Sequence, residues 1–118
     1  MATFNSSVRK ADNSTIIEVS GDLDAHTATQ LEKTIQDLLD AHQFRLIVNF
    51  TKLNYISSAG LGVFMAFIDD VRTNGGDIKF SNMSEKIFNV FDLLGFPLLY
   101  EIYKEENEAV KKFNLPTV

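Results

Sequence analysis

Two adjacent serines, Ser57 and Ser58, lie in the stretch YISSAGLG, where two apolar runs meet through small residues. A hydroxyl at such a junction most often caps a helix, because it accepts a hydrogen bond from an amide that has no partner within the helix. It can also be displayed for chemistry on the hydroxyl itself. The choice between a cap and a displayed hydroxyl depends on the residues around the pair and on the helices and strands that hold it.

Small residues surround the two hydroxyls. Ala59, Gly60 and Gly62 leave them unshielded, and two glycines in the first turn cost a helix roughly 1–2 kcal/mol relative to alanine. A protein tolerates that cost where something must come close to the backbone. The stretch therefore predicts a helix start with an accessible backbone and an accessible serine.

A serine hydrolase is one class of protein that displays a serine. Ser58, His26 and Asp24 supply the nucleophile, the base and the group that orients the base. However, the serine does not lie in a Gly-x-Ser-x-Gly turn. Asp24 and His26 are two positions apart, so an extended segment points both the same way, whereas a triad needs the base between its partners. Hydrolysis is the less favoured interpretation.

The sequence contains no set of residues with the spacing of a metal site, a cofactor site or a phosphate-binding loop. His26 and His42 stand at opposite ends of one predicted helix, about 24 Å apart at 1.5 Å per residue. The chain has no cysteine and no Gly-Lys-Ser/Thr sequence. Asp22 and Asp24 resemble a carboxylate pair, but acidic loops are usually solvated. We therefore predict neither a metal nor a cofactor.

Length and charge narrow the class of protein further. The 118 residues are enough for one domain and one core, and 45% of them are hydrophobic. A net charge of −5, with no run of basic residues, disfavours nucleic acid and anionic lipid as partners. No apolar run approaches the ~20 residues that span a bilayer, and the first ten residues lack the apolar region of a secretory signal. Together with the absence of cysteine, this predicts a cytoplasmic protein without membrane insertion.

Strand and helix patterns alternate along the chain. They predict an N-terminal hairpin turning at Asp12-Asn13 and then parallel crossovers, which is an α/β domain with a mixed, mostly parallel sheet of four to five strands and helices packed on it. The predicted strands are ATFNSSVRK, STIIEVSG, FRLIVNF, DIKFSN and a shorter LLYEIY. The predicted helices are HTATQLEKTIQDLLDAH, a second from about Ser58 to Asn74, a third from Ser84 to Gly95 that buries Ile87, Phe91 and Leu94, and ENEAVKKF.

Two segments follow strands in this arrangement, and sites in such folds lie beyond the carboxyl ends of the strands. We expect loops at GDLDAHTA, after the second strand, and at TKLNYISSAG, after the central one. In the first of them, Thr27 followed by Gln30 has the spacing of a capping box. Lys33 and Asp37 have the spacing of an ion pair on the solvent side of the helix.

Four segments in register resemble one known family. GDLDAHTA, LIVNFTKLNYISSAGLGVF, NGGDIKFSNMSEKIFNVFDLLGF and YEIYKEENEAV are similar to the STAS domain of bacterial anti-sigma factor antagonists. The resemblance covers residues from about 4 to 113, and it implies a single STAS domain over residues 1–118. Gly21-Asp22-Leu23-Asp24 matches the family's acidic loop, and YISSAGLG matches its serine-containing turn.

The resemblance implies a protein switch rather than an enzyme. In the family, the unphosphorylated antagonist binds an anti-sigma factor that is also a serine kinase of the histidine-kinase-like ATPase type, and this binding frees the sigma factor. The kinase then phosphorylates the serine that corresponds to Ser58, and a metal-dependent phosphatase reverses the modification. By the same carry-over, the partner-binding residues are Asp22, Asp24, Ser57, Ser58, Ala59 and Gly60.

One position departs from the family's pattern. The residue before the phosphorylated serine is often aspartate, and here it is Ser57. This leaves open modification of Ser57 instead of Ser58. It also leaves open a STAS scaffold or adaptor that binds a non-kinase partner and is never phosphorylated.

Overall fold

The computed structural model describes residues 3–115, so the predicted start of the first strand at Ala2 and both limits of the predicted 1–118 domain lie outside the described residues. Strands and helices alternate as the sequence predicts. In chain order they are β1 (Phe4–Ala11), β2 (Ser14–Leu23), α1 (Ala28–Asp40), β3 (Arg45–Ile56), α2 (Ser58–Thr73), β4 (Asp77–Ser81), α3 (Glu85–Leu93), a 3₁₀ turn (Phe96–Leu98), β5 (Ile102–Tyr103) and α4 (Glu106–Asn114).

The five strands form one mixed sheet in the order β1-β2-β3-β4-β5. β1 pairs with β2 in antiparallel orientation around the two-residue loop Asp12-Asn13, because Ala11 pairs with Ser14. The other neighbours are parallel, and a helix follows each of β2, β3 and β4. The predicted α/β class and mostly parallel sheet are confirmed.

One face of the sheet carries the main hydrophobic core, under α1, α2 and α3. Four phenylalanines fill its centre with ring centroids 5.0–6.4 Å apart, mostly edge to face, the arrangement that aromatic quadrupoles favour: Phe50, Phe64, Phe80 and Phe91. Leu31 and Ile35 of α1 and Leu61 of α2 are buried in the same core, as their helical spacing predicts. This core holds α2, and therefore the serine pair, in a fixed position over the sheet.

The opposite face is covered by α4 through a smaller core and several charged contacts. Ala109 and Val110 pack on Ile16 and Ile47, and Phe113 borders them. Glu106 accepts hydrogen bonds from Asn49 Nδ2 at 2.9 Å and from Arg9 at 2.5 Å. The predicted packing of Val110 and Phe113 is confirmed.

Several predicted details differ from the structure. β2 continues to Leu23 and β3 to Ile56, so the first part of each expected loop is strand. The expected strand LLYEIY is largely turn, and only Ile102–Tyr103 pairs with β4. Leu94 is 53% exposed rather than buried, because α3 ends at Leu93 and the chain turns away at Gly95, which follows Leu94 and has a left-handed φ of 76°.

The capping box at Thr27 is also wrong. Thr27 occupies the N-cap position of α1, but its side chain makes no cap hydrogen bond. Its hydroxyl donates to Asp22 O at 2.7 Å and accepts from Asp24 N at 2.9 Å, so it ties the preceding segment together instead. The predicted Lys33–Asp37 pair is present at 3.3 Å. Within residues 3–115, no helix has the length and apolar character that crossing a bilayer requires.

Candidate functional site

The two segments that the sequence singles out meet where β2 and β3 end. Asp22 pairs with Tyr55, and Leu23 with Ile56, at the last positions of the parallel ladder. Beyond it, Ser57 N donates to Leu23 O at 2.9 Å, which carries the contact into the start of α2. The acidic segment and the serine pair therefore form one surface at the carboxyl edge of the sheet.

The two serines have different roles. Ser57 has extended backbone angles and is the N-cap of α2, where its Oγ accepts from Gly60 N at 3.4 Å. Ser57 is half-buried, whereas Ser58, the first helical residue, is exposed. The cap interpretation therefore belongs to Ser57, and the displayed hydroxyl is that of Ser58.

The two glycines also differ, and this corrects the expectation that both expose the backbone. Gly60 is buried, and a Cβ there would lie 2.7 Å from Leu23 Cγ and 2.9 Å from Leu23 O. Gly60 therefore serves the close approach of α2 to the end of β2. A Cβ at Gly62 would meet nothing within 4 Å. Packing inside the chain gives no reason for Gly62, whose surface faces solvent.

Asp24 shapes the segment beside the serines. Its Oδ1 accepts from the backbone amides of His26 at 2.9 Å and Thr27 at 3.2 Å, which fixes the turn into α1. Asp22 and Asp24 are both half-buried. Two carboxylates thus lie on the segment that the Ser57–Leu23 hydrogen bond joins to α2.

The start of α2 favours one negative group, while the carboxylates of the neighbouring segment disfavour further negative charge at this edge. The first turn of α2 contains no acidic residue, so its amides and the helix dipole suit a negative group at Ser58. Lys52, the nearest basic residue in the preceding sequence, pairs with Ser20 and lies four residues before the end of β3. A negative group on Ser58 would therefore share the carboxyl edge of the sheet with the two carboxylates of the neighbouring segment.

The structure does not assemble the hydrolase arrangement. Asp24 accepts from the backbone amide of His26, and no hydrogen bond joins the His26 ring to Ser58 among residues 3–115. Over the same residues, no group of three or more His, Asp or Glu side chains could hold a metal ion.

Sequence reasoning missed one exposed side chain on this surface, that of Tyr55, and a second, that of Met65, two turns further along α2. Tyr55 is 47% exposed and pairs with Asp22, while Met65 is 55% exposed on the outer side of α2. Ser58, Gly62 and Met65 follow at i, i+4 and i+7, so they form one stripe along the helix. The sequence could have predicted this stripe from that spacing. The first charged residue on it is Asp69.

Comparison with known proteins places the chain in a family. The family model of the STAS domain matches residues 5–109. An anti-sigma-B factor antagonist of Bacillus subtilis is 26% identical over 108 residues, which are 92% of this chain and 98% of that protein. An anti-sigma-B factor antagonist of Listeria monocytogenes is 27% identical over 92 residues, covering 78% and 81%.

A solved structure shares the fold at lower identity. The anti-sigma factor antagonist SpoIIAA in its unphosphorylated form superposes with a TM-score of 0.81 at 20% identity, covering 97% of this chain and 100% of that one. The fold described above is thus one already seen in an antagonist. The chain belongs to the STAS domain family, and its relatives of similar length are anti-sigma factor antagonists.

Proposed function

We propose that this chain is an anti-sigma factor antagonist that is switched off by phosphorylation of Ser58. In its unphosphorylated form it binds an anti-sigma factor that is also a serine kinase of the histidine-kinase-like ATPase type, and a metal-dependent phosphatase restores that form. The observation that carries the proposal is the division of labour between the serines: Ser57 caps α2, and Ser58 is exposed. The chain acts as a cytoplasmic binding protein rather than as an enzyme, through one STAS domain.

The contact surface comprises the exposed pair Ser58 and Ala59 with the half-buried Asp22, Asp24 and Ser57 around it. Gly60 belongs to the site in a different way, because it is buried and lets α2 approach Leu23. Its part is to position Ser58, not to touch the partner. Modification of Ser57 is disfavoured because the residue is half-buried and its hydroxyl already accepts from an amide.

Electrostatic repulsion and desolvation account for the switch. A phosphate adds about −1.5 to −2 charges at pH 7. On Ser58 this charge suits the helix dipole, yet it lies near the acidic β2–α1 segment and must lose water when a partner covers it. A loss of about 2–3 kcal/mol of binding free energy weakens binding roughly 30- to 150-fold.

The fold need not change for this to happen. Neither the Ser57 cap nor the bond from Ser57 N to Leu23 O uses the Ser58 hydroxyl, so its modification should leave both in place. We therefore expect nearly superimposable backbones in the two forms. Chemical shifts that change along the whole of α2 would contradict release by disruption of the interface alone.

The test uses this protein as bait in an extract of its own cell. Ser58→Ala and Ser58→Asp variants are immobilised, and the retained proteins are identified by mass spectrometry. Ser7→Asp, an exposed serine on β1, is the matched control for the added charge. We expect a small kinase-type ATPase on the Ser58→Ala and Ser7→Asp variants and its loss from Ser58→Asp. If all three retain the same non-kinase protein, a STAS scaffold replaces the switch.

A further inference from the structure

Four leucines project from the turn between α3 and β5. Leu93 is 85% and Leu98 90% exposed, and Leu94 and Leu99 are each more than half exposed. We call these four residues the leucine ridge. Large contiguous apolar patches on a surface usually mark an interaction site.

The leucine ridge is held in place by the buried residues beneath it. Phe96 is buried, stacks on Tyr100 with ring centroids 5.1 Å apart, and meets Phe91 edge to face at 5.2 Å. Leu98 N donates to Gly95 O at 3.1 Å and Leu99 N to Phe96 O at 2.9 Å. The exposed leucines therefore stand on an ordered turn, so little conformational entropy opposes their burial by a partner.

A groove of about 240 Å³ lies beside the leucine ridge. We call it the Tyr100 groove, and it is lined by Met65, Ile68, Asp69, Arg72, Leu99 and Tyr100. Arg72 forms one wall, where it donates to Leu99 O at 2.5 Å and lies 5.5 Å from the Tyr100 ring centre. The volume is ample for a single leucine side chain.

We propose that two copies of this chain associate through a two-fold interface in which Leu98 of each copy enters the Tyr100 groove of the other. A two-fold interface requires a projecting group and its receptor on the same patch of each molecule. Leu98 projects directly beside Leu99, which lines the groove. The projecting group and the groove therefore lie on one patch, as a two-fold interface requires.

The charges at the border of this patch are mostly acidic. Asp69 and Arg72 both line the Tyr100 groove, and Asp92 precedes the leucine ridge. Arg72 is already paired with Asp77 at 3.0 Å, so the association has to come from burial of the leucines rather than from charge. The exposed apolar surface is on the order of 500 Å² per copy, so two copies bury about 1,000 Å², the lower limit for a specific interface.

Two other occupants fit less well. A membrane surface that attracts an exposed apolar loop usually also attracts basic residues, whereas Asp69, Asp70 and Asp92 flank this one. The partner that reads Ser58 approaches the other end of α2, and the helix rises about 21 Å over the fourteen steps from Ser58 to Arg72. The proposed dimer therefore leaves both Ser58 hydroxyls accessible.

Analytical ultracentrifugation of the whole chain tests the proposal. We expect the mass to rise from 13.3 kDa towards twice that value between about 20 μM and about 1 mM, as suits a small interface. Two copies of net charge −5 repel each other, so raising the salt from about 50 mM to about 500 mM should strengthen the association. Leu98→Asp should stay monomeric. Leu115→Asp, at the end of α4, is the matched control and should behave like the wild type.

Cross-linking tests the arrangement itself, since the chain contains no cysteine. Met65→Cys and Leu98→Cys are prepared separately and oxidised alone or mixed. We expect the mixed sample to form disulfide-linked dimers several-fold faster than either variant alone, because Leu98 of one copy should face the groove wall of the other.

Four outcomes would overturn the proposal. They are a monomer at every concentration, a dimer that survives Leu98→Asp, an association that salt weakens, and no excess of cross-linking in the mixed sample. Binding of the wild type, but not of Leu98→Asp, to phosphatidylcholine vesicles without any dimer would assign the leucine ridge to a membrane instead. A Leu98→Asp variant that unfolds at the same temperature as the wild type has no folding defect, so its monomeric state would come from loss of the interface.

Discussion

The two ends of α2 are built in opposite ways, although one helix joins them. At the Ser58 end the contacts run through backbone and small residues, and Gly60 has no side chain because Leu23 fills that space. At the Arg72 end the contacts run through large side chains, with Arg72 reaching Leu99 O and the Tyr100 ring. The Ser58 end should therefore be sensitive to added atoms, and the Arg72 end should tolerate changes that leave its packing intact.

The largest effect is expected when a methyl group is added at the Ser58 end. Gly60→Ala should lower the free energy of unfolding by about 1–3 kcal/mol, because the new Cβ would lie 2.9 Å from a carbonyl oxygen that cannot move alone. Gly62→Ala is the matched control and should raise it by up to about 1 kcal/mol through helix propensity. Urea unfolding of both variants measures the difference. Equal effects would mean that the close approach at Gly60 does not constrain α2.

A smaller effect is expected when the cap is removed. Ser57→Ala should lower the free energy of unfolding by about 0.5–1 kcal/mol, since the 3.4 Å bond to Gly60 N is long for a cap. Ser58→Ala removes an exposed hydroxyl and should change it by less than about 0.5 kcal/mol. Thermal or urea unfolding tests the pair. The reverse order would assign the cap to Ser58 and weaken its role as the displayed serine.

The smallest effect at neutral pH is expected at the other end of the helix. Tyr100 Oη is buried without a hydrogen-bond partner among residues 3–115, so Tyr100→Phe keeps the packing and removes an unsatisfied group. We expect a change within about 0.5 kcal/mol at pH 7, on the stabilising side. Urea unfolding at pH 7 measures it.

At alkaline pH we expect the stabilities of the wild type and of Tyr100→Phe to differ more. Burial raises the pKa of Tyr100 from its ordinary 10.0 to about 12. A group whose pKa is raised on folding stabilises the fold below its unfolded pKa, and this contribution is lost as the pH rises from 10 towards 12. The wild type should therefore lose more stability than Tyr100→Phe between pH 9 and about pH 11.5. Parallel losses in the two proteins would show that the hydroxyl ionises without cost.

The order of elements was predictable because it follows from local patterns. Helical spacing identified the buried faces of α1 and α2, and Ser84 is the N-cap of α3, with its Oγ accepting from Ile87 N at 3.2 Å. The serine pair was also recognisable from its small neighbours. Those features depend on residues close together in the chain.

The errors share one cause, which is that a distant partner decided the outcome. β2 and β3 extend to Leu23 and Ile56 because each supplies the other's hydrogen bonds, so the first part of each expected loop became strand. The Thr27 hydroxyl was bound by Asp22 and Asp24 instead of the helix. Neither result can be read from the spacing of residues along a single segment.

The sequence by itself determined the α/β class, the family resemblance and the segment that carries the serines, because each is written in short-range patterns of apolar and small residues. Only the tertiary structure decided which serine is displayed, why Gly60 differs from Gly62, and that the leucine ridge lies beside a groove. Those properties depend on distances between atoms on different elements. Packing sets such distances, and it depends on the whole core at once.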